Sequence, residues 1–140
     1  MPARNAVRAA SAPPTDEKIT TNLGCVDLGQ VDLLVQEGFY ANRSDFIRTA
    51  IRNQLAVHSE VVRSAASRRT LVLGIQHYSA ADLKAVKEAG EVLEIRVLGL
   101  ASFDADVTPA LALATIRSIT VLGALHASAA VKAALLPRLR

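Results

Sequence analysis

A chain of 140 residues has room for one domain of ordinary size or two small ones. The net charge of +3 and pI near 9.4 are compatible with a nucleic-acid partner but too mild to require one. A single cysteine, Cys25, excludes an internal disulfide; it reads as a small packed hydrophobe in a protein of the reducing cytoplasm.

Residues 1–16, MPARNAVRAASAPPTD, carry Arg4, Arg8 and the Pro13-Pro14 pair without an apolar pattern. They read as a disordered arm, with Arg4 and Arg8 as candidate phosphate contacts, and they lack the apolar core of a secretory signal. From Lys18 the pattern alternates: Ile19, Thr21 and Leu23 on one face of a strand, Lys18, Thr20 and Asn22 on the other. A lone strand cannot satisfy its own backbone, and the same strand of a second copy is the simplest partner, so an obligate dimer is expected. Asp27 and Gln30 suggest a capping box for a helix whose apolar stripe is Leu28, Val31, Leu34 and Val35, with Gly38 ending it. Asn42 and Asp45 stand in the same relation at a second helix, whose inward face is Phe46, Ile47, Ala50, Ile51 and Leu55.

The order strand, helix, glycine turn, helix, together with EGFYANRSDFIRTAIRNQL, resembles the ribbon-helix-helix DNA-binding domain of the MetJ/Arc/CopG-like superfamily over residues about 17–56. The resemblance implies two strands paired antiparallel into a ribbon that enters the major groove of double-stranded DNA. Carried over by position, the base readers are Lys18, Thr20 and Asn22. Their chemistry suits base reading, since lysine donates to guanine, asparagine pairs with adenine, and threonine offers a hydroxyl or a methyl. The resemblance also implies a phosphate held at the start of the second helix, here Asn42, Arg43 and Ser44. Arg48 and Arg52 are read as structural, pairing with Asp45 or Glu37. Gly24, Cys25 and Val26 depart from the family pattern, in which a proline or polar residue often follows the strand.

The second half carries an internal repeat. Aligned on glycine, Thr70–Gly74, Ile95–Gly99 and Ile119–Gly123 each end in VLG, at spacings of 25 and 24 residues. A loop, a capping residue (Ser79, Thr108, Ser128) and an alanine-rich helical stretch follow each glycine, and Pro109 occupies a favoured first helical position. Strand-then-helix units require parallel strands, whose continuous apolar runs predict burial on both faces. So small a sheet leaves two open edges, which predicts self-association into a tighter dimer or a tetramer.

Residues 107–131 are apolar enough to raise a membrane span, but Pro109, Arg117, Gly123 and the match to the repeat argue against it. His58, His77 and His126 lack partners at metal-ligand spacing, and no phosphate loop, nucleophile elbow or dinucleotide fingerprint is present, so no catalytic residue, metal or cofactor is expected. Asp104 and Asp106 form a DxD pair that reads as a solvated loop.

The predicted fold is α+β: the arm, a ribbon-helix-helix dimer domain over residues 17–66, and a small α/β domain of three strand-helix repeats over 67–140. The function expected is that of a cytoplasmic, nucleoid-associated transcriptional regulator of bacterial type, most simply a repressor. An antitoxin whose C-terminal half binds a toxin partner, and a DNA-tethered assembly protein polymerising through the repeat, are the alternatives.

Overall fold

A computed structural model describes residues 15–140; Arg4 and Arg8 lie outside the described residues. The described chain divides into two compact units, Lys18–Arg68 and Arg69–Arg140, the latter joined by residues 15–17.

In the first unit, Lys18–Leu23 is exposed and forms no strand in the single chain, because every ladder bond of a lone strand must come from a second one. Helix α1 (Cys25–Gln36) starts earlier than its sequence suggests. Gly24 is the N-cap and no side chain caps it, so Asp27 lies inside the first turn, where its charge favours the helix dipole, and forms no capping box with Gln30. Cys25, the first helical residue, is exposed rather than packed. Gly38, at φ +85°, closes α1: its N–H donates to Val35 and that of Phe39 to Leu34, the paired bonds of a Schellman turn. Helix α2 (Arg43–Val57) is capped as expected, the Asn42 side chain accepting from the Asp45 N–H at 2.8 Å. Tyr40 packs edge-on against Phe46, centroids 5.0 Å apart, which sets the entry of α2. A third helix, α3 (Ser59–Arg68), follows directly after His58. Val31 is the only buried apolar side chain in this unit, whereas Ile51 and Leu55 are 54% and 58% exposed.

The second unit realises the repeat. Strands β1 (Val72–Tyr78), β2 (Leu93–Phe103) and β3 (Ile116–His126) are parallel and lie in chain order. Between and after them run α4 (Ala80–Glu88), α5 (Pro109–Thr115) and α6 (Ala129–Leu135), capped by Ser79, Thr108 and Ser128, with Pro109 in the first turn of α5. All three helices pack on one face of the sheet, where Leu83, Val97, Ile119, Val131 and Leu135 form the centre of the core. Tyr78 stacks on Phe103 within the same layer.

The three repeat glycines are register partners, Gly74 beside Gly99 beside Gly123, at φ +129°, +142° and +122°. A Cβ on Gly99 would overlap the Gly74 carbonyl, and one on Gly123 the Gly99 carbonyl, so the repeat keeps glycine there for close backbone approach as well as for φ.

Burial of the sheet on both faces holds for the central strand and not for the edge strand β1. On the face away from the helices the edge strand leaves Leu73 76% and Ile75 58% exposed, because the connecting helices all return on the other side, whereas Leu100 and Ser102 of the central strand are buried on this face too. Nor are both edges bare: beyond a short 3₁₀ turn (Leu136–Arg138), Leu139 bridges Ile119 and the Arg140 N–H donates to the Ile119 carbonyl, covering the start of β3. Arg138 fastens this segment by donating to the carbonyls of Leu113 and Ile116. No helix among the described residues is long and apolar enough to cross a membrane.

Candidate nucleic-acid interface

Residues 18–68 hold six basic and five acidic side chains, so this unit has no general positive field and any nucleic-acid affinity must come from placed contacts. Lys18, Thr20 and Asn22 are all exposed on the segment leading into α1. Their alternation would turn them to one side if the segment is paired as a strand.

The start of α2 is more fully built. Asn42 Oδ1 is occupied by the Asp45 N–H, and the Asp45 carboxylate turns back to accept the Ala41 N–H at 2.9 Å. The backbone N–H groups of Arg43 and Ser44 lie ahead of the helical ladder, where the dipole favours an anion. Arg43 itself is engaged. Its Nε donates to Asp32 Oδ1 at 2.7 Å and its Nη2 to Asp32 Oδ2 at 2.8 Å, a two-pronged pair that joins α2 to α1 across the glycine turn. The Arg43 hydrogen bond, with its charge, holds the Asp32 carboxyl below the usual range, and Asp32 raises the arginine in return. The remaining Nη1 has no acceptor among the described residues, and the Arg43 side chain is still 56% exposed.

Asp32, the partner of Arg43, is not singled out by the sequence pattern alone. A signal for it exists: Asp32 lies between the stripe residues Val31 and Leu34, on a helix that Gly38 folds back toward Arg43. Arg48 and Arg52, expected to pair with Asp45 or Glu37, form no ion pair or hydrogen bond among the described residues. Asp45 is occupied with the backbone instead, and both arginines remain exposed.

The other sequence candidates resolve into local roles. Asp104 and Asp106 do not converge: Asp104 contacts His77 Nε2 at 2.9 Å, while Asp106 accepts the Ala80 N–H at 3.3 Å. His58 meets Gln54, and His126 meets Glu17 at 2.9 Å. Among the described residues no three metal-ligating side chains come together.

In the unit Lys18–Arg68 an exposed polar segment leads into a helix closed by a glycine turn and a second helix with a side-chain cap. The chain belongs to the ribbon-helix-helix transcriptional regulator family, whose model matches residues 14–132. That match runs through the whole three-stranded sheet as well as the helical unit, so the repeat half is part of what the family shares. No curated protein and no solved structure matches the chain.

Proposed function

We infer that two copies of the chain pair residues 18–23 into an antiparallel ribbon, and that this ribbon reads the DNA major groove as part of a transcriptional repressor. The observation that carries this reading is the state of the unit Lys18–Arg68. Its polar segment has no backbone partner among the described residues, and Leu33, Ile47, Ile51 and Leu55 stand exposed around a core reduced to Val31. A segment of about 50 residues rarely stabilises itself with so little burial, and a second copy would supply both the strand and the apolar cover.

In this reading Lys18, Thr20 and Asn22 touch base edges and choose the sequence. The free N–H groups of Arg43 and Ser44, framed by Asn42 and joined by the unused Arg43 Nη1, take a phosphate and set the register. The Asp32–Arg43 pair positions the guanidinium at low entropic cost, because the side chain is ordered before DNA arrives. The test is light scattering on the full chain and on Ile51→Glu and Leu55→Glu variants. Wild type is expected at twice the chain mass or a multiple of it, with both variants shifted toward monomer and weakened on DNA. Monomeric wild type at micromolar concentration would refute the reading.

A further inference from the structure

The face of the sheet opposite the helices is organised in rows by the strand register. At the start of the strands, Arg69, Arg96 and Arg140 line a groove of about 290 Å³ with Glu94, so positive charge dominates that end. In the middle, Leu73, Leu98 and Leu122 are register partners, and Ile75, Leu100 and Ala124 form the next row; Leu73, Ile75 and Leu122 are exposed, whereas Leu100 is already buried within the single chain. At the far end His77, Ser102 and His126 are aligned; Asp104 holds one histidine and Glu17 the other, and His77 Nδ1 lies 3.3 Å from Ser102 Oγ. The face is therefore positive at one end, apolar across the middle and carboxylate-bearing at the other end.

We propose that this face packs against the same face of a second copy of the chain, with the strands of the two sheets running in opposite directions. Two arrangements keep two-fold symmetry with the leucine row in contact. If the axis runs along the strands, arginines meet arginines and carboxylates meet carboxylates. If it crosses the strands at the Leu73–Leu98–Leu122 row, each leucine faces its counterpart, Arg69 comes over the row of His77 and Asp104, and Arg140 comes over that of His126 and Glu17. Charge complementarity selects the second arrangement, which has the apolar centre and polar rim of a specific interface. Aligned packing of two sheets about 10 Å apart leaves room for the leucines to interdigitate.

From strand spacing and rise, the face measures about 14 by 25 Å, roughly 350 Å² against about 800 Å² per partner in a stable free-standing pair. It is too small to hold two separate chains by itself. The contact thus rests on the ribbon reading for its strength, as a second contact whose effective concentration is raised by the first. In this way the repeat half would determine how rigidly, or how many, ribbons are presented to DNA.

The experiment uses full-length protein in a Cys25→Ala background, with Leu73→Cys placed on the expected axis and treated with a short bismaleimide. Leu113→Cys, partly exposed on α5 of the helix-covered side, is the control. Leu73→Cys is expected to give covalent dimer as the main product and Leu113→Cys little. Asp104→Arg should lower the yield severalfold, and adding Arg69→Asp should restore it. Yield from Leu73→Cys no higher than from Leu113→Cys overturns the proposal. If light scattering of the same sample still reports a dimer, only the face contact fails and the ribbon reading stands; a monomeric mass removes the ribbon reading as well. Crosslinking that Asp104→Arg leaves unchanged also overturns the antiparallel arrangement.

Discussion

Replacing the aligned glycines with alanine should have unequal effects, although the three positions look equivalent in sequence. All three have φ between +122° and +142°, so each alanine incurs backbone strain of about 1–3 kcal/mol. At Gly74 nothing among the described residues lies within 4 Å of the new methyl group, and strain is the whole cost. At Gly99 and Gly123 the methyl collides with the carbonyl of the neighbouring strand. Relieving that overlap means parting two strands locally and losing ladder hydrogen bonds worth about 1 kcal/mol each, which brings the total to roughly 3–5 kcal/mol. For a unit whose stability is on the order of 5–15 kcal/mol, that is a large share. The assay is urea unfolding followed by Tyr78 emission in a Tyr40→Phe background, since the chain has two tyrosines and no tryptophan. With an m-value of about 2 kcal/mol/M, Gly99→Ala and Gly123→Ala should lower the midpoint by roughly 1.5–2.5 M, and Gly74→Ala by about 0.5–1.5 M, less than either. Equal losses at all three positions, or a Gly99→Ala variant within about 1 kcal/mol of wild type, would refute the close-approach argument.

Further outcomes bear on the unit Lys18–Arg68. Lys18→Ala, Thr20→Ala and Asn22→Ala should each cost about 1–3 kcal/mol on a selected site and relax preference at one position, as read by titration against single-base variants of that site. Arg43→Ala should weaken binding to all sequences alike and reduce the salt slope by about one unit. Asp32→Ala separates the two roles of that pair: a residue that only fastens α1 to α2 predicts equal losses from Arg43→Ala and Asp32→Ala, whereas a phosphate contact predicts that Asp32→Ala retains most of the affinity. Because the folded-state pKa of Asp32 is lowered, its contribution to stability is present above the ordinary carboxylate value and lost as pH falls through the lowered one. Acid titration of unfolding should therefore be shallower in Asp32→Asn than in wild type.

The repeat half is legible in the sequence because its signals are local and recur. Gly74, Gly99 and Gly123 at near-constant spacing, each followed by Ser79, Thr108 or Ser128 at a helix start, are enough to give parallel strands in register and capped helices. Which face the helices cover is not legible, since an apolar run such as Leu71–Leu73 or Val97–Leu98 looks the same with one face covered as with two. Helix α3 escapes the sequence reading, although Val61, Val62, Ala65 and Ala66 carry a helical spacing after Ser59. At the candidate interface, the Asn42 cap is readable from its spacing to Asp45, but the Asp32–Arg43 pair spans a turn and becomes visible only when the two helices are placed together. The misplaced cap at Asp27 has a simple origin: an aspartate in the first turn serves the helix dipole as well as an N-cap aspartate does, and composition cannot separate the two positions.

Selection of bound duplexes from a random pool, run in parallel with wild-type full-length protein and with Lys18→Ala/Thr20→Ala/Asn22→Ala combined, separates base reading by residues 18–22 from non-specific attachment to DNA. Wild type should enrich a two-fold symmetric site, and the triple variant should retain salt-sensitive binding while enriching no motif. Enrichment of the same motif by the triple variant, with equal preference, would contradict a ribbon that reads DNA through these three residues.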